Sequence, residues 1–226
     1  MRDIRQDKLV KLEPCEEKMT TAVDVYEEAE NVNWRSDGEK GEHLWQRRLA
    51  MGQVMDYCCG LGIDVGCQAN KIVPNGAAGG NCVGIDHDHR KVFMDPGSRW
   101  TCDMFGDGLN LGNPDSSIDW VFAGHVLEDQ PFPVGTLKML REFWRVVKNG
   151  GYIVLLMPHK RYYPNVGDPE ANSAHQRDWL PEELLQFVNG NLYKELRIVQ
   201  LESFYNKFEF DAVFRVVKDD DNGRTR

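Results

Sequence analysis

The sequence predicts an α/β fold: a doubly wound, mostly parallel sheet of seven strands with helices on both faces, in three layers. Three observations carry that prediction. The runs 82–85 and 152–157 are apolar throughout, and 118–123 is so apart from Asp119, as strands buried on both faces are. Stretches of helical periodicity separate several of them, which implies parallel crossovers. A short run at 54–57 leads into Gly60-Leu61-Gly62 and then a helix-like stretch from Ile63, the strand–turn–helix opening of such a sheet.

At 226 residues the chain reads as one domain, with 41% hydrophobic residues to build its core. Residues 1–50 form a helical cap, 51–158 the ligand-binding core, 159–218 a substrate-side loop with closing strands, and 219–226 a disordered tail. A net charge of -9 repels phosphate backbones and argues against nucleic acid as partner. The six cysteines include no C-x-x-C pair, so they read as reduced thiols without a metal, in a cytoplasmic protein. The charged N-terminus and the lack of a spanning apolar run predict neither signal peptide nor membrane partner. Oligomeric state is not legible.

In chain order, 16–29 has helical spacing and 31–42 reads as loop. After the strand at 54–57, residues 64–72 suit a helix and 82–85 a second strand closed by Asp86. A short helix at 91–94 and a third strand at 99–104 follow, then a fourth strand at 118–123. Residues 133–147 are amphipathic, with Leu137, Leu140, Phe143, Trp144 and Val147 on one stripe, ended by a glycine cap at Asn149-Gly150-Gly151. A fifth strand spans 152–157. A polar loop runs to Trp179, a helix to Val188, and strands at 196–201 and 208–217 close the chain.

Ligands of such sheets lie beyond the carboxyl ends of the strands. That rule selects the loops after Tyr57, Ile85, Ala123 and Met157. Glycines let a ligand approach the backbone, and Asp86 offers a ribose an acceptor-only carboxylate. A dinucleotide site wants a third glycine, yet counting from Gly60 that position is Val65, which disfavours nicotinamide or flavin.

Asp56-x-Cys58-x-Gly60-x-Gly62, Val83-Gly84-Ile85-Asp86, Gly106-Asp107 with Asp119, Ala123-Gly124-His125-Val126-Leu127-Glu128, and the stretch 140–152 stand in that order. Together they resemble the signatures of the class I S-adenosylmethionine-dependent methyltransferases, the first being D-x-G-x-G-x-G. The resemblance implies a Rossmann-like sheet with an antiparallel C-terminal strand, and S-adenosyl-L-methionine as cofactor. It places Asp56, Cys58, Gly60 and Gly62 at the methionine end of the cofactor. It places Asp86 at the ribose, Asp107 at the adenine amino group, and Ala123, Gly124 and His125 at the sulfonium, with His87 and Gly108 also among the cofactor-binding residues. Cys58 departs from the pattern's glycine. Where that position needs a positive φ, a side chain costs roughly 1–2 kcal/mol and weakens cofactor binding.

Methyl transfer asks the protein to align a nucleophile and exclude water, and an oxygen nucleophile benefits from a base. Pro158-His159 followed by His175-Gln176-Arg177-Asp178-Trp179 resembles a subset of the family. His159 and His175 are the candidate catalytic residues, and Lys160 and Arg161 the candidate partners of an acidic group on the acceptor. The expected activity is methylation of an O or N nucleophile on a small molecule, a sugar or another non-nucleic-acid substrate. The alternative is a binding scaffold with a weakened cofactor site.

Overall fold

The computed structural model describes residues 54–68, 71, 73, 81–87, 102–203 and 209–218. The helices expected at 16–29 and 91–94, the cap at 1–50 and the tail lie outside them. Strands β1 (Leu61–Val65), β2 (Asn81–Asp86), β3 (Met104–Phe105) and β4 (Ile118–Gly124) precede helix α1 (Val134–Val146) and strand β5 (Val147–Pro158). Helix α2 (Pro181–Leu192) and strands β6 (Leu196–Ser203) and β7 (Glu209–Val216) follow. The sheet order is β3-β2-β1-β4-β5-β7-β6. Strands β1 to β5 are parallel, and β7 runs antiparallel to both β5 and β6. The doubly wound, seven-stranded prediction therefore holds.

Alternation along each strand builds two cores. Ile63, Val65, Val121, Ala123, Ile153, Leu155, Ala212 and Phe214 face one side with Met139, Leu140 and Phe143 of α1 and Leu184, Val188 and Leu192 of α2. Trp120, Phe122, Val154, Leu156 and Val213 face the other, under Val54, Met55, Cys58 and Val73. Pro181 opens α2, where a helix lacks backbone acceptors anyway, and the Glu183 carboxylate accepts from the Leu180 N–H at 3.2 Å. Among the described residues, no helix is long and apolar enough to cross a membrane.

Three expectations change. Residues Met55–Tyr57 form a 3-10 turn, and the first strand lies where the helix was expected to start. Each residue from Gly62 to Val65 pairs with β2 on one side and β4 on the other. A Cβ on Gly62 would lie 2.0 Å from the Trp120 ring, so this glycine admits an indole rather than a turn. The helix α1 ends without a glycine cap: Val147 is already extended, and Gly150 (φ +84°) sits inside β5. There the register jumps from Ile118–Val147 to Trp120–Tyr152. A Cβ on Gly151 would lie 2.3 Å from the Asp119 carbonyl oxygen, so the glycines absorb a bulge. The third strand is only Met104–Phe105, and residues 99–101 are outside the described set.

Candidate cofactor and acceptor site

The carboxyl edge of the sheet is built from four strand ends. After Val65 the chain turns through Gly66 (φ +72°) and Gln68 (φ +53°). The Gly66 and Cys67 N–H groups donate to the Ile85 carbonyl at 2.9 and 3.2 Å, and the Gln68 N–H donates to Asp86 Oδ2 at 2.8 Å. A Cβ on Gly66 would lie 2.3 Å from Val126 Cγ2. Backbone angle and close approach thus both demand glycine there. Asp86 ends β2, buried, with Oδ1 3.7 Å from Nδ1 of the exposed His87. Its backbone carbonyl accepts from the Gly106 N–H at 2.9 Å, which sets the loop after β3 beside it. Asp107 is exposed there, and its Oδ1 accepts from the Leu109 N–H at 2.8 Å. Gly108 is buried, and a Cβ on it would lie 2.9 Å from both Val65 Cγ1 and Met139 Cε. Ala123 and Gly124 end β4. His125 (φ +55°) follows, its N–H donating to the Leu156 carbonyl at 2.9 Å.

Asp56, Cys58, Gly60 and Gly62 are not at this edge. They lie at or before the amino end of β1, with Gly62 about 10 Å from the strand's carboxyl end and the others farther still. Gly60 (φ +84°) accepts from the Asn81 N–H, and a Cβ on it would meet the Asp119 carboxylate at 2.5 Å. Cys58 is fully buried with φ −98°, so it neither strains the backbone nor adds a side chain beside Asp86. Partial burial raises the Asp56 carboxyl above its usual range. The pattern D-x-G-x-G-x-G has a second register in the sequence, Asp64-x-Gly66-x-Gln68-x-Asn70, with glycine kept only at its first glycine position. Its β1 residues make that the register at the strand's carboxyl end.

Beyond β4 and β5 stands a buried group of imidazoles and carboxylates. His125 Nε2 lies 2.8 Å from Glu209 Oε1, and its Nδ1 lies 3.9 Å from Glu128 Oε1. Tyr163 meets the His125 ring edge-on at 5.8 Å and stacks on His175 at 5.6 Å. His175 Nε2 is 3.6 Å from Glu128 Oε1. The Gln176 and Arg177 N–H groups donate to the Glu128 carbonyl at 2.8 and 3.2 Å, tying the loop to the 3-10 turn Leu127–Asp129. His159 is buried at the end of β5, and its Nδ1 accepts from the Arg161 N–H at 3.2 Å. Burial lowers the pKa of both His159 and His175, and it pushes the Asp129 carboxyl up to about 6. Lys160 and Arg161 face Glu183 and Glu182 at 3.7 and 3.9 Å on the rim. Sequence reasoning named Tyr163 among the candidates beyond the fifth strand but missed Glu128 and Glu209 as site residues. Glu128 closes a motif it had read, whereas Glu209 arrives only through the antiparallel pairing of β7 with β5.

The sequence profile of the family described as methyltransferase domain matches residues 63–155, a span that begins inside β1 and leaves Asp56 to Gly62 out. A demethylmenaquinone methyltransferase of Staphylococcus saprophyticus is 28% identical over 180 residues, 67% of this chain and 73% of the relative. One from Staphylococcus haemolyticus is 29% identical over 184 residues, 72% of each chain. Two SAM-dependent methyltransferases of solved structure share the fold. The one from Aquifex aeolicus superposes with TM-score 0.53 at 16% identity, covering 73% of this chain and 88% of its own. The one from Archaeoglobus fulgidus gives 0.57 at 14%, covering 76% and 94%.

Proposed function

We propose that this chain is a class I S-adenosylmethionine-dependent methyltransferase and that it methylates an oxygen or nitrogen nucleophile of a small molecule held between His125 and His159. The observation that carries this reading is a single sheet edge. It holds Asp86 and Asp107 at the neighbouring tips of β2 and β3, and the imidazoles of His125 and His159 beyond the tips of β4 and β5.

The cofactor is S-adenosyl-L-methionine, which supplies a methyl group on a positively charged sulfur. The residues present fit it. Gly66 leaves the end of β1 bare of side chain. Asp86 closes β2 with an acceptor-only carboxylate of the kind ribose hydroxyls donate to. Asp107 is exposed to an adenine amino group. Ala123 and Gly124 leave room at the tip of β4, and Glu128 and Glu209 bring negative charge toward a sulfonium.

On the acceptor side we assign His159 the direct contact. Its Nδ1 accepts a backbone N–H, so in the neutral ring the proton sits on Nε2, which donates to the acceptor and orients it. His175 is a positioning residue: its ring is buried against Tyr163, in the loop that the Gln176 and Arg177 N–H groups tie to the Glu128 carbonyl. Among the described residues, Lys160 and Arg161 make long rim pairs, which an acidic group on the acceptor can displace. The named relatives methylate demethylmenaquinone, a small molecule, and the net charge of -9 disfavours a nucleic-acid acceptor.

The test is S-adenosylhomocysteine release from a library of small acceptors, beside calorimetric titration with S-adenosylmethionine. Turnover with one acceptor class is expected, and absence of cofactor binding at millimolar concentration overturns the reading. His159→Gln should lower kcat by about 10–100-fold while leaving cofactor affinity unchanged. It should also change the acid limb of stability. Burial, then the Arg161 charge, holds the folded-state pKa of His159 below that of the unfolded chain. Below about pH 6.5 the unfolded chain therefore takes up the proton first, and stability falls as pH falls. The melting temperature of His159→Gln should decline less than that of the parent between about pH 7 and pH 5.5.

A further inference from the structure

We propose that Glu128, Asp129 and His175 form a binding site for one divalent first-row transition cation beside the tip of β4. The three side chains each offer a ligand atom, and these atoms lie within 4.8 Å of one another. His175 Nε2 is 3.6 Å from Glu128 Oε1 and 4.0 Å from Asp129 Oδ1. Those separations exceed hydrogen-bond reach, about 3.2 Å for N–H to O. They come close to what two donors need around a common ion: bonds of about 2.0–2.2 Å put neighbouring ligands roughly 3–3.5 Å apart. With all three atoms within 4.8 Å of one another, closing the set requires shifts of up to about an ångström.

Among the described residues, the imidazole Nε2 has no hydrogen-bond partner and its side chain is only 2% exposed, and Asp129 Oδ1 is likewise buried without a hydrogen bond. A buried polar atom left so costs on the order of 1–3 kcal/mol, which a bound cation would offset. The donors are held in place from outside the cluster. Glu128 and Asp129 belong to one 3-10 turn, whose carbonyl at Glu128 receives two N–H groups from the His175 loop. Tyr163 stacks on the His175 ring from the side. Positions fixed by the backbone preorganise ligation. One imidazole nitrogen with two carboxylate oxygens suits cations from Mn²⁺ to Zn²⁺ better than all-oxygen Mg²⁺ or Ca²⁺ or a thiolate-seeking ion. Three protein donors leave further coordination positions open. Asp129, 29% exposed, marks the side from which they are reached.

The test uses the full chain, stripped with chelator and titrated with Mn²⁺ under electron paramagnetic resonance. One ion per chain should bind, with a nitrogen hyperfine coupling from the imidazole. Asp129→Asn, at a partly exposed position, should weaken binding at least roughly tenfold, and His175→Gln should abolish the nitrogen coupling. No saturable binding at millimolar Mn²⁺, binding of equal strength in both variants, or a bound ion without nitrogen coupling in the parent would each overturn the site. The parent spectrum decides the matter even where a variant fails to fold. Cofactor titration on the same sample is independent, so loss of S-adenosylmethionine binding counts against the methyltransferase reading and not against the cation.

Discussion

At the amino edge of the sheet Asp119 meets Lys148 at 2.6 Å, with side chains 34% and 47% exposed. At the carboxyl edge Glu128 meets His175 at 3.6 Å, with side chains 0% and 2% exposed. The first pairs a carboxylate with a permanent cation in water, where little is lost or gained. The second takes a carboxylate out of water beside an imidazole that is neutral for much of the working pH range. Such an arrangement costs solvation and is retained where the charge is used. The glycines divide in the same way. Gly62 makes room for a core indole at one end of β1, while Gly66 makes room for a turn and a ligand at the other.

The largest expected effect breaks that division at β1. Gly62→Ala drives a methyl group into the rigid Trp120 ring and should cost about 3 kcal/mol or more, read as a fall in the denaturant midpoint. The fraction that remains folded should bind S-adenosylmethionine as the parent does. Gly66→Ala meets the flexible tip of Val126 and a left-handed backbone, a penalty of about 1–2 kcal/mol. Its main signature should be cofactor affinity lowered at least tenfold in calorimetry. Equal loss of affinity in both variants would erase the contrast between the two ends.

A smaller contrast sets Asp86 against Cys58. Asp86→Ala removes the partner of the Gln68 N–H and the acceptor proposed for the ribose, two hydrogen bonds to a charged group of roughly 1.5 kcal/mol or more each. Cofactor affinity should fall on the order of 10–100-fold. Cys58→Ala, in the core under Trp120 and Phe122, should lower the melting temperature and leave affinity alone. A Cys58 variant that binds cofactor more tightly would restore the idea that this thiol intrudes on the site.

The contrast also explains what the amino-acid order made legible. Strands β2, β4 and β5 and the stripe of α1 are continuous or periodic in apolar character, and the residues that bury them are local. The start of β1 was misread because Asp56-x-Cys58-x-Gly60 and Asp64-x-Gly66-x-Gln68 offer one motif in two registers. The choice between them depends on Trp120, which packs on Gly62 from a strand far along the chain. The glycine cap failed for a related reason. Gly151 answers to the Asp119 carbonyl across the sheet rather than to its own helix. The placement of Asp86 and Asp107 was legible because Asp86 closes β2 and Asp107 follows Gly106 in the short loop after β3. The pairing of His125 with Glu209 was not, because β7 enters from the opposite direction.

The smallest expected effect isolates the amino edge. Asp119 accepts the Leu61 N–H at 2.8 Å through Oδ2 and faces Lys148 through Oδ1. Lys148→Ala removes only the exposed ion pair and should change stability by no more than about 1 kcal/mol, less at high salt. Asp119→Ala also leaves the Leu61 N–H without its carboxylate partner at the start of β1, and should cost about 1–2 kcal/mol. Neither residue touches the carboxyl edge, so cofactor affinity and turnover per folded molecule should stay at parent values in both. If Lys148→Ala alone lowered affinity or turnover, the amino edge would be coupled through β4 to His125. The separation of a structural from a functional edge would then give way to one connected network.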